Sequence, residues 1–142
     1  MTSPPVAALV GEALSRYPEP VRARLLEIRE VIFAVAAGTE GVGALTETLK
    51  WGEPAYLTEA SGSGTTIRIG TTKTAPRDCA VLFNCRTTLI RTLRTRFAED
   101  FAFEGNRALI VPVAGPLPHE PLAFCIRAAL TYHRRASGLY RR

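Results

Sequence analysis

Lysine is nearly missing from this sequence: sixteen of its eighteen cationic side chains are arginine. A guanidinium-dominated charge suits phosphate and carboxylate recognition, but it is also what a GC-rich genome produces, and composition does not separate the two. Cysteine and histidine are scarce as well, at three and two residues. Cys79 and Cys85 lie in "DCAVLFNC", and as a strand that segment would hold them ~20 Å apart, against the ~6 Å between Cα atoms of a disulfide. With an odd cysteine count and no CxxC or HxxxH spacing, a disulfide framework and a structural zinc site are both excluded, leaving the cysteines as small core residues. His119 and His133 stand at the two ends of one expected helix, roughly 20 Å apart, so they cannot share a metal within one chain. No apolar run approaches the ~18 residues of a membrane span, and "MTSPPVAALVGEALSRY" has no basic start and an early Glu12, so it does not read as a signal peptide. The cytoplasm is the expected compartment, without membrane attachment.

What is present is the material of one domain. A chain of 142 residues, 46% hydrophobic and 22% charged, has ordinary globular composition and can hide roughly 70% of its unfolded surface. The expectation is a single domain over 1–142, with 1–16 as a loose start or an extra helix and 137–142 as a basic tail. Charge is uneven: residues 1–60 carry five basic and eight acidic side chains, residues 61–142 thirteen and five.

Hydrophobic spacing supplies the elements. In "YPEPVRARLLEIREVIFAVAAGT", Val21, Leu25, Ile28, Ile32 and Val35 follow a 3.6-residue period, with Pro20 in the first turn and Gly38 as a stop. The glycines of "GTEGVGALTETLKWG" superficially suggest a phosphate loop, but Ala44 and Leu45 stand where Lys and Ser/Thr are required, so a turn and a short helix are expected. From Pro54 the period becomes two. "PAYLTEASGSGTTIRIG" reads as a hairpin, "DCAVLFNC" as a central strand apolar on both faces, and "DFAFEGNRALIVPV" as a second hairpin turning at Glu104 to Asn106. Helical spacing returns in "TTLIRTLRTRFA" and "PHEPLAFCIRAALTYHRRASG". The fold class is α+β in two layers, a mostly antiparallel five-stranded sheet covered by helices, in the order α-β(3)-α-β(2)-α.

One stretch stands apart. "ETLKWGEPAY" holds the single tryptophan, and with the earlier "YPEPVRARLLEIREVI" it resembles the YdhG-like family, domain of unknown function 1801. Glu47, Trp51, Gly52, Pro54 and Tyr56 occupy that family's motif positions, and the element order extends the resemblance over nearly the whole chain. Most of the family has no assigned biochemistry, and some members are described as frataxin-like iron chaperones. The resemblance therefore implies a small binding domain, with an iron chaperone as the alternative.

Three sets of site residues follow. Glu47, Lys50, Trp51 and Tyr56 are candidates to line a pocket for a small ligand, although a lone Trp51 also suits a core anchor between helix and sheet. Arg91, Arg94, Arg134 and Arg135, with Arg86, Arg96, Arg141 and Arg142 around them, are candidates for a polyanion or nucleic-acid surface, unaccompanied by any nucleic-acid motif. For iron, Glu27 and Glu30 share a helix face, but Arg24 lies three residues before Glu27 as a natural ion-pair partner. No nucleophile, base and orienting group come together in the pattern, so a non-catalytic domain is expected, without cofactor. Its expected partner is an unidentified small molecule or protein; nucleic acid is less favoured, and a homodimer is compatible with the sequence.

Overall fold

Helical structure starts before the first strongly periodic segment. The computed structural model describes residues 3–136, opening with α1 (Ala8–Leu14) and the long α2 (Glu19–Gly38). Pro20 sits within the first turn of α2, where its missing amide breaks no helical bond. Four strands follow, β1 (Thr46–Lys50), β2 (Glu53–Leu57), β3 (Ile67–Gly70) and β4 (Cys79–Leu82), then α3 (Leu89–Phe97), β5 (Ala102–Glu104), β6 (Ala108–Val111), α4 (His119–Leu130) and α5 (Tyr132–Ala136). Their spatial order is β1-β2-β3-β4-β6-β5, with every neighbouring pair antiparallel. No helix among the described residues is long and apolar enough to cross a membrane.

The class is α+β, as expected, but the sheet has six strands rather than five and the order α-β(3)-α-β(2)-α does not hold. The additional strand is β1, where a short helix was expected. Its inward side chains are Glu47 and Leu49, paired with Tyr56 and Pro54 across the hairpin. A buried carboxylate in an inward position hides the hydrophobic alternation by which strands are read. The additional helices are α1 and α5; the stretch 137–142 lies outside the described residues.

One face of the sheet carries the core. Tyr56, Ile67, Ile69, Cys79, Val81, Leu109 and Val111 pack against Leu25, Ile28, Ile32, Leu93, Leu122, Cys125 and Ile126 of the helices. Buried Arg24 ties α2 to the β6–α4 connection, donating to the Val113 carbonyl at 2.8 Å and to that of Gly115. The loop between β2 and β3 is fastened to the end of α4: Thr65 N–H donates to Ala129 O at 2.9 Å, Ser63 Oγ to Leu130 O at 2.7 Å, and His133 N–H to Ser63 O at 2.9 Å.

Gly64 makes that approach feasible, because a Cβ there would stand 2.4 Å from the Leu130 carbonyl. Backbone cannot step aside as a flexible side chain can. Gly64→Ala is expected to cost about 1–3 kcal/mol, in the range of overpacked sites. Gly38→Ala, with nothing within 4 Å of its added methyl, should be near neutral. Urea unfolding of the two variants checks the pair, and equal midpoints would show that the loop does not need this contact.

Candidate functional site

The sequence stretch that stands apart is divided by the structure between two faces of the sheet. Glu47 and Tyr56 are directly paired on the helix-facing side. There Arg29 of α2, with its side chain 1% exposed, meets Glu47 through two parallel bonds, Nε to Oε2 at 2.6 Å and Nη2 to Oε1 at 2.9 Å. Tyr56 Oη donates to Glu47 Oε2 at 2.8 Å. Arg29 Nη2 also donates to the Pro4 carbonyl at 2.8 Å, and its guanidinium lies over the Phe33 ring at 4.8 Å, while Phe33 meets Tyr56 edge-on. Burial, then the Glu47 charge, pushes the Tyr56 phenol far above its usual range, and the Glu47 hydrogen bond holds the Arg29 charge more firmly. Every buried polar side-chain atom among the described residues has a partner. The network is thus closed and saturated: it joins α2, β1, β2 and the N-terminal segment, and it offers no open valence to a ligand.

Lys50 and Trp51 lie elsewhere. Lys50 pairs with Glu53 across the hairpin, so Trp51 and Gly52 form a two-residue turn, with φ of +57° and +77°. Two successive positive φ values are the signature of the tight hairpin turn whose first position favours Asn, Asp or Gly. Tryptophan there is strained on the order of 1 kcal/mol, and its side chain returns no packing, being 89% exposed. The core-anchor reading of Trp51 is therefore overturned: helix and sheet are joined by the Arg29–Glu47–Tyr56 network instead.

The turn borders a cavity of about 280 Å³ on the sheet face away from the helices, lined by Lys50, Trp51, Thr66, Arg68, Leu82, Asn84, Cys85 and Arg107 among others. Register explains the grouping. Residues facing each other across antiparallel strands project to the same side, so Ala55, Arg68 and Leu82 form a row on this face, continued by Ala108. The far side of the face is roofed by the β3–β4 loop, whose Ala75 packs on Ala80, Leu82, Ala108 and Ile110 and whose Thr72 donates to Glu104 at 3.1 Å. The near side stays open.

Three cations line this cavity. Arg68 is paired with Glu53 at 2.5 Å, whose carboxyl is pushed up by burial and drawn partly back by Arg68. Lys50 and Arg107 have no ion-pair or side-chain hydrogen-bond partner among the described residues. Asn84 accepts from Arg86 N–H at 2.9 Å through Oδ1, which leaves its amide nitrogen as a donor. The placement of Arg68, Arg107 and Asn84 was not legible in sequence, because residues 50, 68, 84 and 107 meet only through the pairing of β1, β2, β3, β4 and β6, within or just beyond whose ends they lie.

The other candidate residues lie on other elements. Arg91 and Arg94 are exposed on α3, where Arg94 donates to the Gly105 carbonyl at 2.7 Å and lies over Phe103. Arg134 instead donates to the Glu40 carbonyl at 2.7 Å, at the end of α2; the side chain of Arg135, with Arg141 and Arg142, lies outside the described residues. Arg94 and Arg134 thus each hold a backbone carbonyl of a different loop. Hollows beside α4 are lined by Phe124 with Arg96 and with Arg127 and Arg134, and Arg96 is already stacked 4.4 Å from the Phe124 ring. Glu27 is paired with Arg24 at 3.1 Å and Glu30 accepts from Ser3. Among the described residues no three His, Cys, Asp or Glu side chains are grouped to hold a metal ion.

No family model matches the chain, and no curated protein matches it. Among solved structures it is similar to a DUF1801 family protein (YdhG) from Bacillus subtilis, with a TM-score of 0.57 and 15% identity over 94% of this chain and 93% of that one. At that identity the likeness is one of fold. It agrees with the YdhG-like resemblance carried by Glu47, Trp51, Gly52, Pro54 and Tyr56.

Proposed function

We propose that this YdhG-like domain is a non-catalytic binding module that takes a small anionic ligand in the cavity on the open sheet face. The carrying observation is Trp51: a bulky aromatic held at positive φ, fully in solvent, beside two cations without acidic partners. Residues kept in strained conformations without packing return are the ones to suspect of function. A non-catalytic role is supported at two of the three cysteines, since burial pushes the thiols of Cys79 and Cys125 up to about 12, far from thiolate.

The chain carries its own reporters. Trp51 is the sole tryptophan, and Cys85, which lines the cavity, is the one cysteine that is not buried. Inorganic phosphate and citrate are expected to change Trp51 emission and slow Cys85 alkylation along one saturating curve, and Arg107→Gln should weaken both responses. Trp51→Asn should raise stability on the order of 1 kcal/mol, about 3 °C, by relieving the turn. Absence of any saturable response to either anion, or destabilisation by Trp51→Asn, would sink this reading.

A further inference from the structure

The chemical class of the ligand can be read from the same cavity, and this step rests on the binding site proposed above. We infer that the cavity takes a free nucleoside monophosphate, its base stacked on Trp51 and its phosphate held among Lys50, Arg68 and Arg107.

Charge is the first argument. Lys50, Arg68 and Arg107 bring three positive charges to the cavity, and Glu53, paired with Arg68, removes one. The remaining two match a phosphate monoester, which carries roughly −1.5 to −2 near neutral pH, and exceed the single charge of a carboxylate. Two guanidinium forks suit tetrahedral oxygens, and Lys50 adds a mobile point charge.

The aromatic part follows from Trp51. Simple anion capture by three cations needs no indole, yet this chain places its one tryptophan at the cavity edge, 89% exposed and on a strained turn. An exposed indole is a stacking surface for any flat heterocycle. Thr66 and Asn84 supply hydroxyl and amide groups able to pair with sugar or base edges.

Size and surroundings select a single nucleotide over a strand. A volume of about 280 Å³ lies just under the range of small-ligand pockets, room for the phosphate and its sugar, while the base lies over Trp51 at the cavity edge. A strand continuing across the sheet would meet the β3–β4 loop, pinned by Ala75 and by the Thr72–Glu104 bond.

Isothermal titration calorimetry and Cys85 alkylation, using AMP, adenosine, ribose 5-phosphate, inorganic phosphate and a hexadeoxyadenylate, test the inference. AMP is expected to bind at least tenfold more tightly than ribose 5-phosphate or adenosine. Trp51→Asn should bring AMP down toward ribose 5-phosphate, weakening AMP far more than ribose 5-phosphate, whereas Arg107→Gln should weaken both. Equal affinity for AMP and ribose 5-phosphate would overturn the nucleotide assignment while leaving the anion site intact. Tighter binding of the hexanucleotide than of AMP, with a steeper salt dependence, would overturn the choice of a free nucleotide. If none of the phosphates, inorganic phosphate included, protects Cys85, the anion site falls along with it.

Discussion

Arg29→Ala is expected to remove about 3–5 kcal/mol of stability, a large share of what a domain of this size possesses. The magnitude comes from what the substitution leaves behind. Glu47, with its side chain 10% exposed, would lose both guanidinium bonds and keep only the Tyr56 hydroxyl. A carboxylate so buried cannot recover that solvation without opening β1 away from α2. The Pro4 carbonyl would lose its donor and Phe33 its stacked cation. Tyr56→Phe should cost less, about 1–2 kcal/mol, because Glu47 retains both bonds to Arg29. The triple variant Arg29→Met, Glu47→Leu, Tyr56→Phe separates the charge network from the space it fills, leaving no orphaned hydroxyl, since replacing all partners with apolar groups of similar volume is often near neutral. Urea denaturation of the three variants measures the set. A loss below about 1 kcal/mol for Arg29→Ala would show that the network does not hold helix to sheet.

The same network shows how far sequence carries. Helices α2, α3 and α4 and strands β2, β3, β4, β5 and β6 were legible because their buried positions are apolar and repeat at the period of the element. Strand β1 was not, because its inward side chain is Glu47, whose charge is tolerable there only through Arg29, eighteen residues earlier. The family-like stretch singles out ten residues whose two faces could not be separated without knowing that a hairpin turn falls at Trp51 and Gly52. Once that turn is placed, the period of two sends Glu47 and Tyr56 inward and Lys50 outward. Arg68 and Arg107 then join Lys50 through pairing across β2, β3, β4 and β6, a long-range relation with no local signal.

Alkaline pH should unfold this protein steeply. Burial raises the thiols of Cys79 and Cys125 to about 12 and carries the Tyr56 phenol above its usual range, and Tyr17 is raised in the same sense by burial and by Glu53. In the unfolded chain these groups release protons near pH 8.5 to 10. Raised values in the folded state mean that folding holds protons which unfolding gives up, so this contribution is complete below about pH 8.5 and is lost as pH climbs toward the folded values. Each group that is ionised only in the unfolded state steepens the loss by about 1.4 kcal/mol per pH unit. Two thiols therefore give about 2.7 kcal/mol per unit above pH 9, and Tyr56 brings the slope to about 4 above pH 10. The loss sums to about 8 kcal/mol at pH 11 and about 11 kcal/mol at pH 12, so a fold in the middle of the usual range of about 5–15 kcal/mol should fail between pH 11 and 12. Urea unfolding at pH 7.5, 9, 10 and 11 would show the decline, and Cys125→Ala should reduce its slope by about 1.4 kcal/mol per unit while lowering stability at neutral pH through the cavity it leaves. Stability that stays level to pH 11 would mean that the thiols and phenol reach solvent without unfolding, and that the core between α4 and the sheet opens locally instead of as one unit.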